Sequence, residues 1–459
     1  MRIAVCVRQG LDGELNPFDA SAYEIALSEA GAEVILISMG VPKTADLLLR
    51  LTRLGASRAI LLSDPIFAGS DTLATAYVLS RAMEKLKPDR ILCGRKTLIG
   101  DTGQVPPMLA EMAGYEFLPD VLTVADGNAV TREGNRRLPP RALLAAEKQA
   151  VLRLPSLLSR VGTVETWNAA DIGADPMRCG LNGSPTRVLE TRENTAGRRK
   201  CRILQLRDLP EILAEALRER REQSAPQGNR EKLPCVLSVG SEAMSFARTV
   251  CDNPQEIPVC SAPELAEVIA QKKPDAVLFG NDPASRETAA RLAAREKLGL
   301  CADCTAVTAE NGRAVLYRPA LSGSLIAKIV SETTPALATV RCRTERSASL
   351  IVAAGYGVRK QLDAVRAMAT RLGADFAVSR KLVDGGFAPY REQVGLTGKT
   401  VSPAVYLAVG ISGAVHHLAG MDRSGTVIAV NPDPHAPIFD YADYGIRCSF
   451  EELEDLYHA

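Results

Sequence analysis

Over residues 1–115 short apolar runs alternate with longer amphipathic stretches, the pattern of strands separated by helices. Strands are predicted near Ile3–Val7, Glu33–Ser38, Ala59–Leu62 and Arg90–Cys93, with helices such as Ala20–Ala30 and Leu73–Leu86 between them. Such alternation implies βαβ units and a parallel sheet. After Leu118 the pieces become shorter, and the polar segment Val124–Arg137 predicts an antiparallel excursion before the chain returns at Leu152–Leu157.

The pattern then repeats. Residues 88–94 read PDRILCG and residues 274–280 read PDAVLFG, 186 positions later, each after a Lys-rich helix end and before an Ala/Leu-rich helix. Leu122-Thr123-Val124 follows the first copy as Thr305-Ala306-Val307 follows the second, so duplication of an α/β unit is the economical reading. The polar segments Glu190–Lys200 and Arg218–Lys232 read as linkers or exposed helix ends. A third α/β unit starts at Leu350 with the strand LIVAAG, the turn Gly355-Tyr356-Gly357 and a helix through Leu372. Its GxG lacks a third glycine, the position being Lys360, and is a weak dinucleotide fingerprint alone.

Chemistry concentrates in Gln393–Gly420, where a Gly/Thr-rich loop precedes the apolar strand Val405–Val409 and the turn Gly410-Ile411-Ser412-Gly413. Small residues there let backbone N–H groups approach an anion, and a helix expected to begin near Ser412 adds its positive end. Taken alone, the same glycines are equally compatible with tight turns and close helix packing. Gly398-Lys399-Thr400 imitates the end of a Walker A loop, but Gln393 stands where its first glycine belongs. The adjacent His416 and His417 point about 100° apart on a helix, with no Cys or carboxylate cluster beside them, so no metal site is expected.

At 459 residues the chain can hold about three domains, and 46% hydrophobic with 24% charged residues is a globular composition. A formal net charge of +1 gives no electrostatic reason to expect nucleic acid or an anionic membrane as a partner. MRIAVCVRQG lacks the pattern of a secretory signal and no apolar run is long enough to span a bilayer, so a cytoplasmic location is expected. The 11 cysteines are scattered, many in apolar strands, and read as reduced core residues. Cys301 and Cys304 have CxxC spacing, a weak signal for redox or metal chemistry without a second pair or a thioredoxin-like context.

Several motifs resemble electron-transfer flavoproteins with the small (beta) and large (alpha) subunits fused in that order. Asn16-Pro17-Phe18-Asp19, Asp71–Ala76 and Gly100-Asp101-Thr102-Gly103-Gln104-Val105 look like the beta part. Ala302–Thr305, Arg318-Pro319-Ala320 with Gly323, and Ala338–Arg341 look like the first alpha domain, and residues 393–445 like its FAD domain. The resemblance implies an α/β chain of three doubly wound units. Residues 1–189 would be a beta-like nucleotide domain and 190–345 an alpha-like N-terminal domain, both of the adenine-nucleotide-hydrolase-like Rossmann type. Residues 346–459 would be a Rossmann-like FAD domain.

By the same resemblance the chain passes electrons between a flavin dehydrogenase of the acyl-CoA dehydrogenase type and another redox partner. Such a carrier needs positive potential near the N1–C2=O edge of its reduced flavin. His417 matches the family's histidine at that edge, Arg380 after Ser379 matches the arginine against the isoalloxazine, and Thr397 matches the hydroxyl near N5. Gln393, Val394 and Gly395, then Gly410, Ser412, Gly413, Ala414 and Val415, match the loops around the cofactor and its pyrophosphate, and Asn431 an adenosine-side contact. Tyr356 stands where the family usually has arginine, Leu396 where it has glutamine and Ser449 where it has aspartate; Tyr356 is a candidate to stack on adenine or ribose.

A second nucleotide site, for AMP or a second FAD, is implied at Cys6, Asn16, Pro17, Phe18, Met39, Gly94, Thr102, Gly103, Gln104 and Val105. DTGQV and the stretch Ala170–Asp175 with Gly183–Thr186 look more like members tied to anaerobic acyl-CoA metabolism and flavin-based bifurcation, for which NADH and ferredoxin would be partners. Trp167–Arg187 occupies the place of the loop that anchors family members to their dehydrogenase.

Overall fold

A computed structural model describes the chain except residues 11, 12, 98, 99, 101, 132, 133, 194–197, 219–230, 321–324, 342–348, 396, 397, 400, 423 and 459. Asp101, Gly323, Leu396 and Thr397, and most of the expected linker Arg218–Lys232, lie outside the described residues. The structure divides into two units, residues 1–191 with 228–321 and 327–341, and residues 192–227 with 322–326 and 342–459.

In the first unit, β1 (Arg2–Cys6), β2 (Glu33–Met39), β3 (Arg58–Leu62) and β4 (Arg90–Gly94) are the four predicted strands, shifted by a residue at most at either end. The following pieces are β5 (Glu116–Ala125), β6 (Asn128–Thr131), β7 (Gly134–Arg137), β8 (Ala142–Ala146) and β9 (Thr163–Trp167). They form a nine-stranded sheet in the order β7-β6-β5-β8-β4-β1-β2-β3-β9, parallel except for the expected antiparallel excursion β5–β6–β7. The apolar run Leu152–Leu157 is not a strand. Pro155 interrupts it, and Leu154 and Leu157 are 89% and 101% exposed.

β10 (Thr186–Glu193) ends this stretch, and β11 (Arg202–Leu204) opens the second unit. The duplicated part follows with β12 (Val236–Val239), β13 (Gln255–Ile257), β14 (Ala276–Phe279) and β15 (Leu300–Cys304). Then come β16 (Ala306–Glu310), β17 (Arg313–Ala320), β18 (Leu325–Ser331) and β19 (Ala336–Val340). A parallel five-stranded sheet has the order β13-β12-β14-β19-β15, and a four-stranded sheet the order β10-β18-β17-β16. The order repeats β2-β1-β4-β8-β5 strand for strand, and in each copy the fifth strand leads into an antiparallel hairpin. The two copies pack through Leu73, Ala76 and Met108 of the first against Ala289, Leu292 and Ala293 of the second, one continuous apolar core.

The second unit completes the series with β20 (Leu350–Ala354), β21 (Asp375–Val378), β22 (Val405–Val409), β23 (Thr426–Val430) and β24 (Tyr444–Ile446). All pair in parallel, in the order β11-β24-β23-β22-β20-β21. The central strands are buried on both faces, which explains their uninterrupted apolar composition. β11 corrects the expected boundary. Arg202–Leu204 and the helix Leu209–Arg218 were assigned with the middle domain, yet β11 pairs with β24 and Leu209 and Leu213 are buried in the core of this sheet. Arg199 is fixed there as well, donating to the carbonyls of Ser424 (2.6 Å) and Gly425 (2.7 Å) and to Asp443. The expected linker Glu190–Lys200 is therefore strand at one end and anchored at the other.

Candidate functional site

Parallel sheets bind ligands at the carboxyl ends of their strands, where the strand order reverses. In the second unit that point lies between β20, whose next neighbour is β21, and β22, whose next neighbour is β23. A cleft of about 690 Å³ opens there. It exists because the two turns leaving these strands touch backbone to backbone: a Cβ on Gly355 would fall 1.9 Å from the Gly410 carbonyl oxygen. Gly413, at φ +92°, makes a similar approach to the Ile438 backbone, whose N–H donates to the Ser412 carbonyl. The N–H groups of Ser412, Gly413, Ala414 and Val415 have no acceptor among the described residues, an arrangement suited to a phosphate. The helix does not begin near Ser412. It is a single turn, Val415–Leu418, so the cradle rests on loop N–H groups and not on an extended dipole.

Of the expected FAD contacts, Tyr356, Ser379, Arg380, Gly410, Ser412, Ala414, His417 and Asn431 line the cleft. Gln393, Val394, Gly395, Gly413 and Val415 do not; Gln393 and Val394 are buried, and a Cβ on Gly395 would meet the His416 carbonyl at 2.7 Å, so this turn backs the histidine pair. The cleft is also lined by Lys381, His416, Gln361, Asp433 and Glu451, which the sequence does not single out as contacts; Ser449, noted as a departure from the family, lines it too. The strand-end rule would have found Glu451 had β24 been identified.

His417 is 6% exposed, and Tyr406 Oη lies 3.0 Å from its Nε2. Burial pushes its pKa down to about 4, against a hydrogen bond with the Val394 backbone that acts in the other direction. The expectation that His417 supplies positive potential is thereby corrected: without a bound anion it is neutral at pH 7 and can offer only a hydrogen bond. Cationic charge at the cleft comes instead from Lys381 and from Arg380, whose Nε is 3.1 Å from Asp384. Ser379 Oγ is buried with no partner among the described residues, as a polar cofactor edge would require, whereas the His417 ring also meets the Val394 backbone. Asn431 is spent on structure, donating from Nδ2 to the Ile411 carbonyl and accepting from the Asp433 N–H. Tyr356 is half exposed, with Arg359 4.7 Å over its ring, so one stacking face is taken.

The first unit has its own switch point between β1 and β4, marked by Cys6 and Gly94, with Met39 ending the neighbouring β2. Asn16, Pro17 and Phe18 start the helix Pro17–Leu27, and Thr102, Gly103 and Gln104 precede the helix Val105–Ala113, so the expected second-site residues belong to loops at one sheet edge. Asp19 ties the edge together, accepting from the N–H groups of Arg8 (2.8 Å) and Gly94 (3.0 Å). Burial nevertheless raises its pKa to about 7. Asn16 Oδ1 and Gln104 Nε2 are buried without partners among the described residues while the other half of each amide is anchored, Asn16 to the Lys96 carbonyl and Gln104 to Thr72. Along the same unit, Trp167–Arg187 is moored to the helix Thr72–Leu86: the Asp175 N–H donates to Tyr77 Oη (2.9 Å) and Lys85 to the Asp171 carbonyl (2.8 Å). Met177 and Leu181 of that loop are left 68% and 59% exposed. No helix among the described residues is long and apolar enough to cross a membrane.

Comparison with known proteins agrees with this geometry. The family described as "Electron transfer flavoprotein domain" matches residues 3–136 and 250–345, and "Electron transfer flavoprotein FAD-binding domain" matches residues 346–422. The electron transfer flavoprotein subunit alpha of Thermoanaerobacterium thermosaccharolyticum is 36% identical over 231 residues, 40% of this chain and 70% of the relative. The acryloyl-CoA reductase electron transfer subunit beta of Anaerotignum propionicum is 32% identical over 274 residues, 43% of this chain and 75% of the relative. Subunit LctC of the lactate dehydrogenase (NAD(+),ferredoxin) of Acetobacterium woodii is 36% identical over 234 residues, 41% of this chain and 56% of the relative. The chain belongs to the electron transfer flavoprotein family, and its C-terminal sheet carries that family's FAD-binding domain.

Proposed function

We propose that this chain is a fused beta–alpha electron transfer flavoprotein, a carrier that takes electrons from, or gives them to, a flavin dehydrogenase of the acyl-CoA dehydrogenase type. The observation that carries the reading is the switch-point cleft, where the N–H groups of Ser412 and Ala414 and the buried Ser379 Oγ have no partner among the described residues. Fusion is supported by two electron-transfer-flavoprotein matches in one chain, on two sheets of the same strand order, ahead of one FAD-binding match. The division is then residues 1–189, 190–345 and 346–459, with 202–218 given to the last. A cytoplasmic location is part of the same reading.

FAD supplies a store that fills two electrons at a time and empties singly. The chain's residues hold and tune it. The N–H groups of Ser412 and Ala414, which line the cleft, would hold the pyrophosphate, Ser379 and neutral His417 would hydrogen-bond the flavin, and Arg380 would supply a cation there. Thr397 is assigned by resemblance alone. Arg380→Ala should leave FAD bound while lowering its midpoint potential by on the order of 30 mV, equivalent to about 1.4 kcal/mol for a two-electron couple. An unchanged redox titration would remove Arg380 from the site.

The first sheet edge is the site for AMP or a second FAD, supported by the unpartnered Asn16 Oδ1 and Gln104 Nε2. The loop Trp167–Arg187, with its exposed Met177 and Leu181, is the dehydrogenase anchor. A second reading, a two-FAD bifurcating protein that oxidises NADH and reduces ferredoxin, is favoured by the name of the LctC relative. Extracting the native cofactors and adding NADH separates the two readings. One FAD with AMP and no bleaching fits the carrier, two FAD with bleaching fits bifurcation, and a protein that stays colourless with added flavin sinks both.

A further inference from the structure

The CxxC spacing, uninformative in sequence, takes on geometry in β15. Cys301 pairs with Ala338 and Cys304 with Val340 of β19, and the register breaks between them. Three residues of β15 thus span two of β19. Positions 338 and 340 face the same side of a pleated strand, so the irregularity turns two cysteines that would point to opposite faces into near neighbours on one. Asp303 forms the kink at φ +59°, held by its N–H to Thr339 Oγ1 (2.9 Å) and by its carboxylate on Arg341 Nε (2.7 Å). The Cys304 thiol points back at the Cys301 carbonyl, 3.7 Å away.

We propose that Cys301 and Cys304 form a redox pair that closes to an intrachain disulfide when hydrogen peroxide reaches it. The Cys301 thiolate attacks one peroxide oxygen, the O–O bond breaks and the leaving hydroxide takes a proton, giving a sulfenic acid and water. The Cys304 sulfur then attacks the sulfenic sulfur, the S–O bond breaks, and the thiol proton leaves with the hydroxyl as a second water. The dithiol loses two electrons and two protons, and the peroxide becomes two waters. An external dithiol reverses the change by exchange.

The order of attack follows from the surroundings. Hydrogen bonding from Cys304, helped by the Arg318 charge, pulls the Cys301 pKa down against burial, whereas burial holds the Cys304 thiol high. Cys301 and Cys304 are 3% and 0% exposed, but β15 is an edge strand of its sheet, so a small oxidant needs only a local opening. The molecule contains its own control. Cys6 and Cys93 are directly opposed on β1 and β4, equally buried, yet burial pushes both pKa values up, Cys6 to about 12. Proximity without a stabilised thiolate should leave that pair inert.

The test treats the folded, full-length chain with a small excess of hydrogen peroxide, then alkylates in denaturant and digests with trypsin. Cys301 and Cys304 share the peptide Leu298–Arg313. It should appear unalkylated and about 2 Da lighter, revert with dithiothreitol, and form about tenfold faster than any change at Cys6 or Cys93. In Cys304→Ser the reaction should stop at a dimedone-reactive Cys301, and in Cys301→Ser no linked peptide should form. A fully alkylated Leu298–Arg313 peptide while other cysteines oxidise, or faster loss of Cys6 and Cys93, overturns the proposal.

Discussion

The two copies in the first unit share a strand order but not the edge where β1 meets β4 and β12 meets β14. Each edge has a glycine at its centre, Gly94 in one and Gly280 in the other, and each glycine faces a carboxylate. In the first copy that carboxylate is Asp19, 4% exposed and bonded to two backbone N–H groups. In the second it is Glu242, exposed on a short connection after β12. The loop before the next helix also differs. Aligning Gly114 with Lys297 places Gly103 opposite Arg286, a half-buried arginine in the first turn of the helix Pro283–Glu296 whose pKa is lowered by burial and by Arg95. One copy therefore has an edge tied to a buried carboxylate, with two amide atoms unpartnered among the described residues, and the other has a charged helix residue at the aligned position. Duplication preserved the scaffold, and the two edges differ in how their carboxylates are anchored.

Asp19 gives the largest expected effect. Its folded-state pKa, raised to about 7, lies above the value of about 4 in an unfolded chain. The stability linked to its protonated form is complete below about pH 4 and is lost as pH rises through about 7. The full loss is on the order of 4 kcal/mol, from about three pKa units at 1.36 kcal/mol each. Asp19→Asn is destabilised for another reason, since its amide NH2 faces one of two backbone donors, but its stability should not carry this slope. Denaturant unfolding of both proteins between pH 4 and pH 8 measures the difference. Parallel profiles would mean that Asp19 is solvated and that the first edge is no more rigid than the second.

The paired glycines come next. A Cβ on Gly94 would sit 2.4 Å from Asp19 Oδ1, 2.6 Å from Phe18 Cβ and 2.8 Å from the Asp19 backbone nitrogen, none of which can move without shifting a helix. At Gly280 the nearest atom, at 2.8 Å, is the end of the Glu242 side chain, which can swing away. Gly94→Ala should cost about 3 kcal/mol and any nucleotide bound at that edge, and Gly280→Ala less than about 1 kcal/mol. Equal costs in chemical unfolding would erase the distinction between the copies.

What the sequence made legible follows the same division between local and long-range causes. β20 and β22 are apolar throughout because both faces are covered, and they were placed within a residue of their observed ends. The duplication was visible because PDRILCG and PDAVLFG sit at the most constrained strand of each copy. β11 was not legible: three residues, Arg202–Leu204, with two of them exposed, have no period, and only pairing with β24 makes them a strand. Leu154 and Leu157 misled in the opposite direction, being apolar but unpaired. Ser412, Arg380 and His417, named from the motifs, line the cleft between β20 and β22, but the neutrality of His417 has no sequence signal, because it depends on burial beside Tyr406 and Val394.

The smallest effect tests whether the copies still share a backbone where their side chains have diverged. The helices Val105–Ala113 and Pro283–Glu296 end in the same left-handed cap, at Gly114 (φ +71°) and Lys297 (φ +57°). Six residues past each cap, the backbones still agree at Asp120 (φ +54°) and Asp303 (φ +59°). Glycine adopts the left-handed cap without strain, whereas a side chain there costs about 1 kcal/mol. Lys297→Gly should therefore stabilise the second copy, and Gly114→Ala destabilise the first, each by about 0.5–1 kcal/mol. No Cβ contact within 4 Å awaits at Gly114, so its change reports backbone strain alone. Opposite signs of similar size in thermal unfolding would confirm that the divergence lies in what decorates the strand ends and not in the helices behind them. Matching signs would mean that one cap is held by its surroundings, and that the copies differ more deeply than their sheet order suggests.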